Sequence, residues 1–367
     1  MKSLSIVHTE SSLGWGGQEL RVLSESQGLI RRGHEVRLLC PPEARIHGEA
    51  PNWGVPVIAL PIAWKRPVGV KVLYEWLKRN RCDLVCTHSS TDSWLTALAL
   101  LALGRPLPMV RTRHVSAPVA RNSPTRWLYT CATARIVTTG EALKKQLVEQ
   151  NRFPAQRIDS VPTGIDTRRF HPGDRRAARA ALKLPQDRTL VGIVATLRDW
   201  KGHEYLIEAL AGLADSVQLV IVGDGPMRDI LEKLVDSLGV RSRVRFAGNQ
   251  ADVVPWLQAL DIFVLPSYAN EGVPQALIQA MLVALPCVST HAGSIAELAR
   301  HEETALVVPM KDAAALRAAL QRLLHDQALA ARLGDAARRH CEANFSYERM
   351  LDAMERIYAQ VRPQVRR

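Results

Sequence analysis

"LSIVHTESSLGWGGQELRVLSESQGLIRRGHEVRLLC", residues 4–40, decides the fold. Its opening run LSIVHT has the length and β-branched content of a buried strand. From Glu19 to Arg32 the apolar residues recur at helical spacing, Gly33 stops the helix, and EVRLLC resumes a strand. A crossover of this kind joins parallel strands, so the stretch reads as a βαβ unit. Working outward, "VPVIALP", "DLVCTHS", "PMVRTRH", "RIVTTG" and "IDSVP" continue the alternation with helical stretches between them, as a doubly wound parallel sheet requires. Gly, Pro and charge break the pattern over "TGIDTRRFHPGDRR", Thr163 to Arg176, which reads as an interdomain linker.

Alternation restarts with "TLVGIVAT", "VQLVIVGDG", "VRFAG", "DIFVLPS", "PCVST" and "TALVVP", giving a second α/β sheet in series with the first. After Val308 the pattern is helical to Val361. Ligands of open parallel sheets bind beyond the carboxyl ends of the strands, so the expectation is two sheets facing a central cleft. A chain of 367 residues has room for two such domains.

Composition narrows the function classes. The hydrophobic fraction of 47% and charged fraction of 23% are those of a globular protein that buries full cores. Net charge is +12, from 48 basic and 36 acidic residues, which favours anionic partners such as nucleotides, nucleic acid or acidic membrane surfaces. Aromatics at only 5%, dispersed along the chain, speak against a nucleic-acid-binding surface. Cys40, Cys82, Cys86, Cys131, Cys287 and Cys341 are scattered without metal-site spacings or a secretory leader, so reduced thiols in the cytoplasm are expected. "WLTALALLALG" from Trp94 is about half the length that spans a bilayer and reads as a buried helix.

The chemistry-bearing motifs fall just after strands. "GWGGQE", Gly14 to Glu19, opens the first helix with glycines that let backbone amides approach a phosphate, or simply allow a tight turn. It lacks the G-x-G-x-x-G spacing and the acidic ribose partner of a dinucleotide site, which argues against a nicotinamide enzyme. "LRDWKGHEYL" places Arg198 and Lys201 at a helix start, suited to neutralising a diphosphate; plain surface charge is the alternative. "VGDGP" is a turn or the edge of a nucleotide pocket. In "NEGVPQALIQAM", residues 270–281, Pro274 near the first helical position would leave amides around Gly272 to Gln275 for a phosphate. Glu271 would then accept hydroxyls from an uncharged neighbouring part, as a sugar diphosphate offers; a helix cap is the plainer reading. His88 and His114 end strands of the first domain, with His114 favoured for an acceptor or sugar contact. Arg111, Arg113 and Arg121 either meet an acidic acceptor or line a solvated face.

Taken in series, "GGQE", "RTRH", "PTGID", "WKG", "VGDGP", "NEGVPQALIQAM" and "FSYERM" resemble the retaining GT-B glycosyltransferases of family 4 in order and spacing over nearly the whole chain. That resemblance implies two Rossmann-like domains: an acceptor-side domain over residues 1–165 and a nucleotide-sugar-binding domain over 166–345. A C-terminal helix over 346–367 would pack back on the first. It implies that Gly16 and Gly17 approach the donor phosphates, Lys201 with Arg198 the diphosphate, His114 the sugar, and Glu271 the transferred sugar. Thr196, Gly223, Gly225, Gly272, Val273, Pro274, Gln275 and Gln279 would complete the donor site, with His88 and Arg113 toward the acceptor. Two positions depart from the family pattern: Thr196 stands where an arginine is common, and Gln279 where a glutamate grips ribose hydroxyls.

With no Asp-x-Asp in the chain, the expected reaction is metal-independent, retaining transfer from a UDP- or GDP-sugar to a hydroxyl acceptor, with no cofactor beyond that co-substrate. The expected partners are a glycan or lipid-linked acceptor in lipopolysaccharide or other surface-glycan assembly and an anionic membrane, met peripherally on the cytoplasmic face, and no nucleic acid. The competing readings are a nucleotide-sugar epimerase or hydrolase on the same fold, and a basic nucleic-acid-binding protein.

Overall fold

The computed structural model describes residues 3–104 and 106–361. Residues 1–2 and 362–367, at the outer ends of the expected first and third segments, lie outside it. The chain divides into two compact units: one takes the chain up to Thr163 and resumes at Glu348, and the other is Gly164–Tyr347.

Seven parallel strands form the sheet of the first unit: β1 (Ser5–Thr9), β2 (Glu35–Cys40), β3 (Val57–Ala59), β4 (Leu84–Thr87), β5 (Met109–Arg113), β6 (Arg135–Thr138) and β7 (Ile158–Ser160). Their order is β3-β2-β1-β4-β5-β6-β7, so the winding reverses between β1 and β4, where Ile6 pairs with Leu84. β1 and β4 are buried along nearly their whole length, as strands covered on both faces must be. The opening stretch is this unit's first crossover, its helix running Gly17–Arg31.

The C-terminal helix Tyr347–Val361 belongs to this first unit from Glu348 onward. Met350, Leu351, Met354, Ile357 and Tyr358 form its buried face. Arg32 pairs with Glu348, with Asp352 at 2.7 Å and with Glu355 at 2.6 Å. Deeper in, the fully buried Tyr358 donates to Glu25 Oε1 at 2.6 Å, and Glu25 is paired with buried Arg21 at 2.8 Å. A buried carboxylate needs such partners to remain charged, so this network ties the chain's last helix to its first.

The second unit has six parallel strands: β8 (Thr189–Val194), β9 (Val217–Val222), β10 (Val244–Gly248), β11 (Ile262–Leu265), β12 (Cys287–Ser289) and β13 (Leu306–Val307). The order β10-β9-β8-β11-β12-β13 puts its reversal between β8 and β11.

Two expectations are corrected. The Thr163–Arg176 stretch is no free linker: Ile165 and Phe170 are buried in the second core, and Ile165 N bonds Phe345 O at 2.9 Å. Apolar residues at those two positions outweigh the surrounding Gly and charge. The "WLTALALLALG" run lies in the helix Ser90–Leu103, yet Leu98 is 41% and Leu101 67% exposed. The helix packs on the helix Pro67–Arg79, on β4 and on the turn over 128–132, and Leu98 and Leu101 fall on the part of its surface that these leave uncovered.

Candidate functional site

In each unit the chemistry-bearing side chains gather where the strand order reverses, the place such sheets offer to ligands. In the second unit β8 leads into the Asp199–Lys201 turn and the helix His203–Ala211, and β11 into the loop before the helix Gln275–Leu282. Lys201 Nζ donates to Glu271 Oε1 at 2.6 Å, closing an ion pair between residues seventy apart in sequence whose side chains are 18% and 6% exposed. Sequence reasoning assigned both residues to a site without seeing that they meet. Glu271 is therefore no helix cap. Pro274 is the residue before the helix, one position earlier than expected, and the first intrahelical amide, Leu277 N, bonds its carbonyl.

The backbone around the pair allows little variation. Asn270 has φ of 58°, a conformation Asn tolerates, and Gly293 packs so closely behind Glu271 that a β-carbon would lie 2.0 Å from the Glu271 carbonyl oxygen. Gly272, Val273 and Pro274 are buried beside it, with Gln275 and Gln279 half-buried and one helical turn apart. Buried His203, missed in the sequence, stands beside Lys201; desolvation first and then the lysine charge push its pKa down to about 3, so it stays neutral.

Arg198, whose carbonyl accepts from Lys201 N at 3.2 Å, is exposed and lies over the Trp200 ring at 5.7 Å. Thr196 is half-buried on the same loop, its carbonyl accepting from Arg198 N at 2.8 Å. Gly223 has φ of 137°, and a β-carbon there would meet Ala195 O at 2.0 Å; Gly225 packs on Leu197. The close approach of the loops after β8 and β9 accounts for both glycines by itself.

In the first unit, neighbouring strands β1, β4 and β5 deliver three histidines side by side. His8 Nδ1 lies 2.8 Å from His88 Nε2, and His88 Nδ1 lies 3.1 Å from His114 Nε2, with ring centroids 5.1 and 5.3 Å apart. Burial lowers all three pKa values, His114 to about 3, and the Arg21 charge adds to the effect in each. A neutral ladder runs in one of two directions. His8 Nε2 is buried and without a partner, so a proton placed there would be a stranded donor. The favoured chain has His8 donating to His88 and His88 to His114, which leaves Nδ1–H as His114's remaining donor. His88 and His114 line a cavity of about 530 Å³ at the strand ends, together with Arg111, Ser89 and apolar side chains of the loop after β5. His8 was missed because nothing local marks it; only the strand order brings it beside His88.

Arg113 does not stand free toward that cavity. It donates to the Ala117 carbonyl and to Tyr129 OH at 3.5 Å, bracing the loop after β5. Gly16 is the residue before the first helix and Gly17 its start, but the surroundings are acidic: Glu10 and Glu19 are buried there, and Asp92 is close enough to raise Glu10. Glu10 accepts from Ser12 N at 2.8 Å and Gln18 Nε2 at 2.7 Å, and burial, then Asp92 and Glu19, raise its pKa well above the carboxylate range. An anion is tolerated there only beside a protonated Glu10.

Each unit is a doubly wound parallel sheet with polar side chains assembled at its switch point, which defines a two-unit α/β protein of the kind that takes its ligands at such points. The chain belongs to the family 4, group 1 glycosyltransferases. The model of Glycosyltransferase Family 4 matches residues 15–169, and that of Glycosyl transferases group 1 matches residues 174–340. D-inositol 3-phosphate glycosyltransferases are similar: that of Mycobacterium avium (strain 104) is 31% identical over 94% of this chain and 88% of its own. That of Rhodococcus opacus (strain B4) is 31% identical over 77% of this chain, which spans 64% of that relative's length. The lipopolysaccharide core biosynthesis glycosyltransferase LpsE of Rhizobium meliloti is 35% identical over 49% of this chain and 53% of its own. Among solved structures, Anabaena HepE in complex with UDP-glucose shares the fold, with a TM-score of 0.86 at 20% identity over 97% of this chain and 100% of its own.

Proposed function

We propose that the protein is a retaining, metal-independent glycosyltransferase that moves a sugar from a nucleoside-diphosphate donor, UDP- or GDP-linked, to a hydroxyl of a surface-glycan acceptor such as a lipopolysaccharide precursor. The observation that carries this reading is the Lys201–Glu271 pair beside the helix that starts at Gln275. A half-buried lysine held by a carboxylate is a cation kept in place and ready for exchange. When the donor arrives, Lys201 passes from Glu271 to the diphosphate, where the amides at the helix start share the charge. Glu271, released, accepts hydroxyls of the transferred sugar.

In the reaction the bond from the anomeric carbon to the phosphate oxygen breaks, and its electrons leave with the diphosphate. The acceptor oxygen forms the new bond on the same face and gives its proton to the departing phosphate oxygen, so no side chain serves as nucleophile. Lys201 stabilises the charge that develops on the leaving group. His114, neutral and donating through Nδ1–H, hydrogen-bonds a sugar or acceptor oxygen and does not act as a base.

The acceptor reading rests on the first unit's histidine-lined cavity, and membrane association on the surplus of positive charge. The name of LpsE supports lipopolysaccharide as the setting. Calorimetry against UDP-, GDP-, ADP- and dTDP-sugars with EDTA present tests the donor, and NMR of the product's anomeric proton tests retention. Binding that vanishes with EDTA, or an inverted product, overturns this reading, and turnover without any acceptor favours a hydrolase.

A further inference from the structure

Resting on the reading of the first unit as the acceptor's holder, we propose that the acceptor is an anionic amphiphile: its anionic group pairs with Arg111 in the cavity at the strand ends, and its alkyl chain runs past Lys65 and Trp94 into an apolar groove between the helices Pro67–Arg79 and Ser90–Leu103.

Arg111 lies on β5, is 4% exposed and lines the cavity. Its guanidinium rests on the Tyr129 ring at 4.2 Å, but Nη1 is buried without a hydrogen-bond partner, and no carboxylate pairs with it among the described residues. A buried guanidinium stays charged, and the Asp92 charge acts on this one only from a distance, so an arginine in the wall of a cavity with a buried, unpartnered Nη1 marks a place for an anion that arrives with the ligand. Arg113, two residues on, is spoken for by Ala117 and Tyr129.

The groove has a volume of about 760 Å³. Its apolar walls are Pro67, Val70 and Tyr74 from one helix and Trp94, Leu98 and Ala102 from the other, each set repeating at helical spacing. Trp64, Val68, Leu98 and Leu101 are exposed on or beside it, an apolar surface that ordinarily signals a partner. Lys65, Arg66 and Lys71 also line it, and among the described residues neither lining includes an acidic side chain. Lys65 and Trp94 belong to both linings, so the cavity and the apolar groove adjoin there, on either side of the Lys65 Nζ to Ser90 Oγ hydrogen bond of 3.1 Å. One molecule with an anionic head and an alkyl tail satisfies both; a partner helix in the groove would leave Arg111 unpaired.

The test is calorimetry on the full chain with dodecyl phosphate below its micelle concentration, compared with inorganic phosphate and dodecyl maltoside. Dodecyl phosphate is expected to bind about tenfold or more tightly than either, the size of one charge-assisted contact or a few buried methylenes. Arg111→Gln should erase its advantage over the maltoside, and Leu98→Glu, on an exposed side chain, its advantage over phosphate. Both variants should keep the wild-type melting shift with a nucleoside diphosphate, which separates failure here from failure of the donor reading. Equal binding of the three probes, unchanged binding by both variants, or binding only to phosphatidylglycerol vesicles and never to the monomeric probe would overturn the proposal. So would a dimer that Leu98→Glu dissolves while leaving dodecyl phosphate binding intact.

Discussion

Replacing Glu271 by Gln should tighten binding of the bare nucleoside diphosphate while slowing sugar transfer. In the structure Lys201 Nζ is held at 2.6 Å by a carboxylate that is itself 6% exposed. A diphosphate must compete with that carboxylate for the lysine. The amide of Gln still accepts a hydrogen bond but lacks the charge, so the hold weakens from a charge-assisted contact of about 1.5–3 kcal/mol to an ordinary one of about 1 kcal/mol. Lys201 keeps 18% of its side chain in water, which argues for the lower part of that range and a gain of about 1 kcal/mol, roughly fivefold in Kd. The sugar, by contrast, loses a charged acceptor for its hydroxyls, and kcat/KM should fall about thirtyfold if two such contacts each weaken by about 1 kcal/mol in the transition state. Calorimetry with nucleoside diphosphate and with intact donor, alongside steady-state transfer, reads both effects. A Glu271→Gln variant that binds the bare diphosphate more weakly than wild type would refute the exchange of Lys201 between carboxylate and phosphate.

Lys201→Ala should cost donor affinity and turnover far more than Arg198→Ala, since Arg198 is exposed over Trp200; equal losses in calorimetry would place Arg198 on the diphosphate after all. Tyr358→Phe removes a buried hydrogen bond to a charged carboxylate and should lower stability by about 1.5–3 kcal/mol in urea unfolding; a loss under half a kilocalorie, roughly the scatter of surface substitutions, would contradict the network with Glu25. His114 and His203 have folded pKa values of about 3 against 6.5 unfolded, so the unfolded chain binds more protons between those values. Stability should therefore fall as pH drops below 6.5, by about 1.4 kcal/mol per pH unit for each such histidine once pH is well below it, partly offset by Glu10, whose raised pKa acts in the opposite direction. Stability that rises on acidification from pH 6.5 to pH 5 would show that the histidines are not held neutral.

The central strands were legible because parallel strands buried on both faces leave short, dense apolar runs, and every run from "LSIVHT" to "TALVVP", the less buried edge strands β3 and β10 included, became a strand. Lys201 and Glu271 were legible as separate anomalies, a cation and an acid each placed between a strand and a helix. Their pairing was not, because it depends on β8 and β11 lying side by side, and strand order has no local signature. The same holds for His8 beside His88 and for Tyr358 against Glu25. Arg111 and Arg113 looked equivalent in "RTRH"; what separates them is that the loop after β5 folds back to give Arg113 a carbonyl and leaves Arg111 without one. Periodicity marked the Ser90–Leu103 helix as apolar but carried no information on which face lacks a neighbour.

A structure of the chain crystallised with a nucleoside-diphosphate sugar tests the central claim most directly. The account predicts Lys201 Nζ within hydrogen-bonding reach of the phosphate next to the sugar, and Glu271 turned to the sugar hydroxyls. A bound donor with the Lys201–Glu271 contact intact and the diphosphate held elsewhere would contradict it.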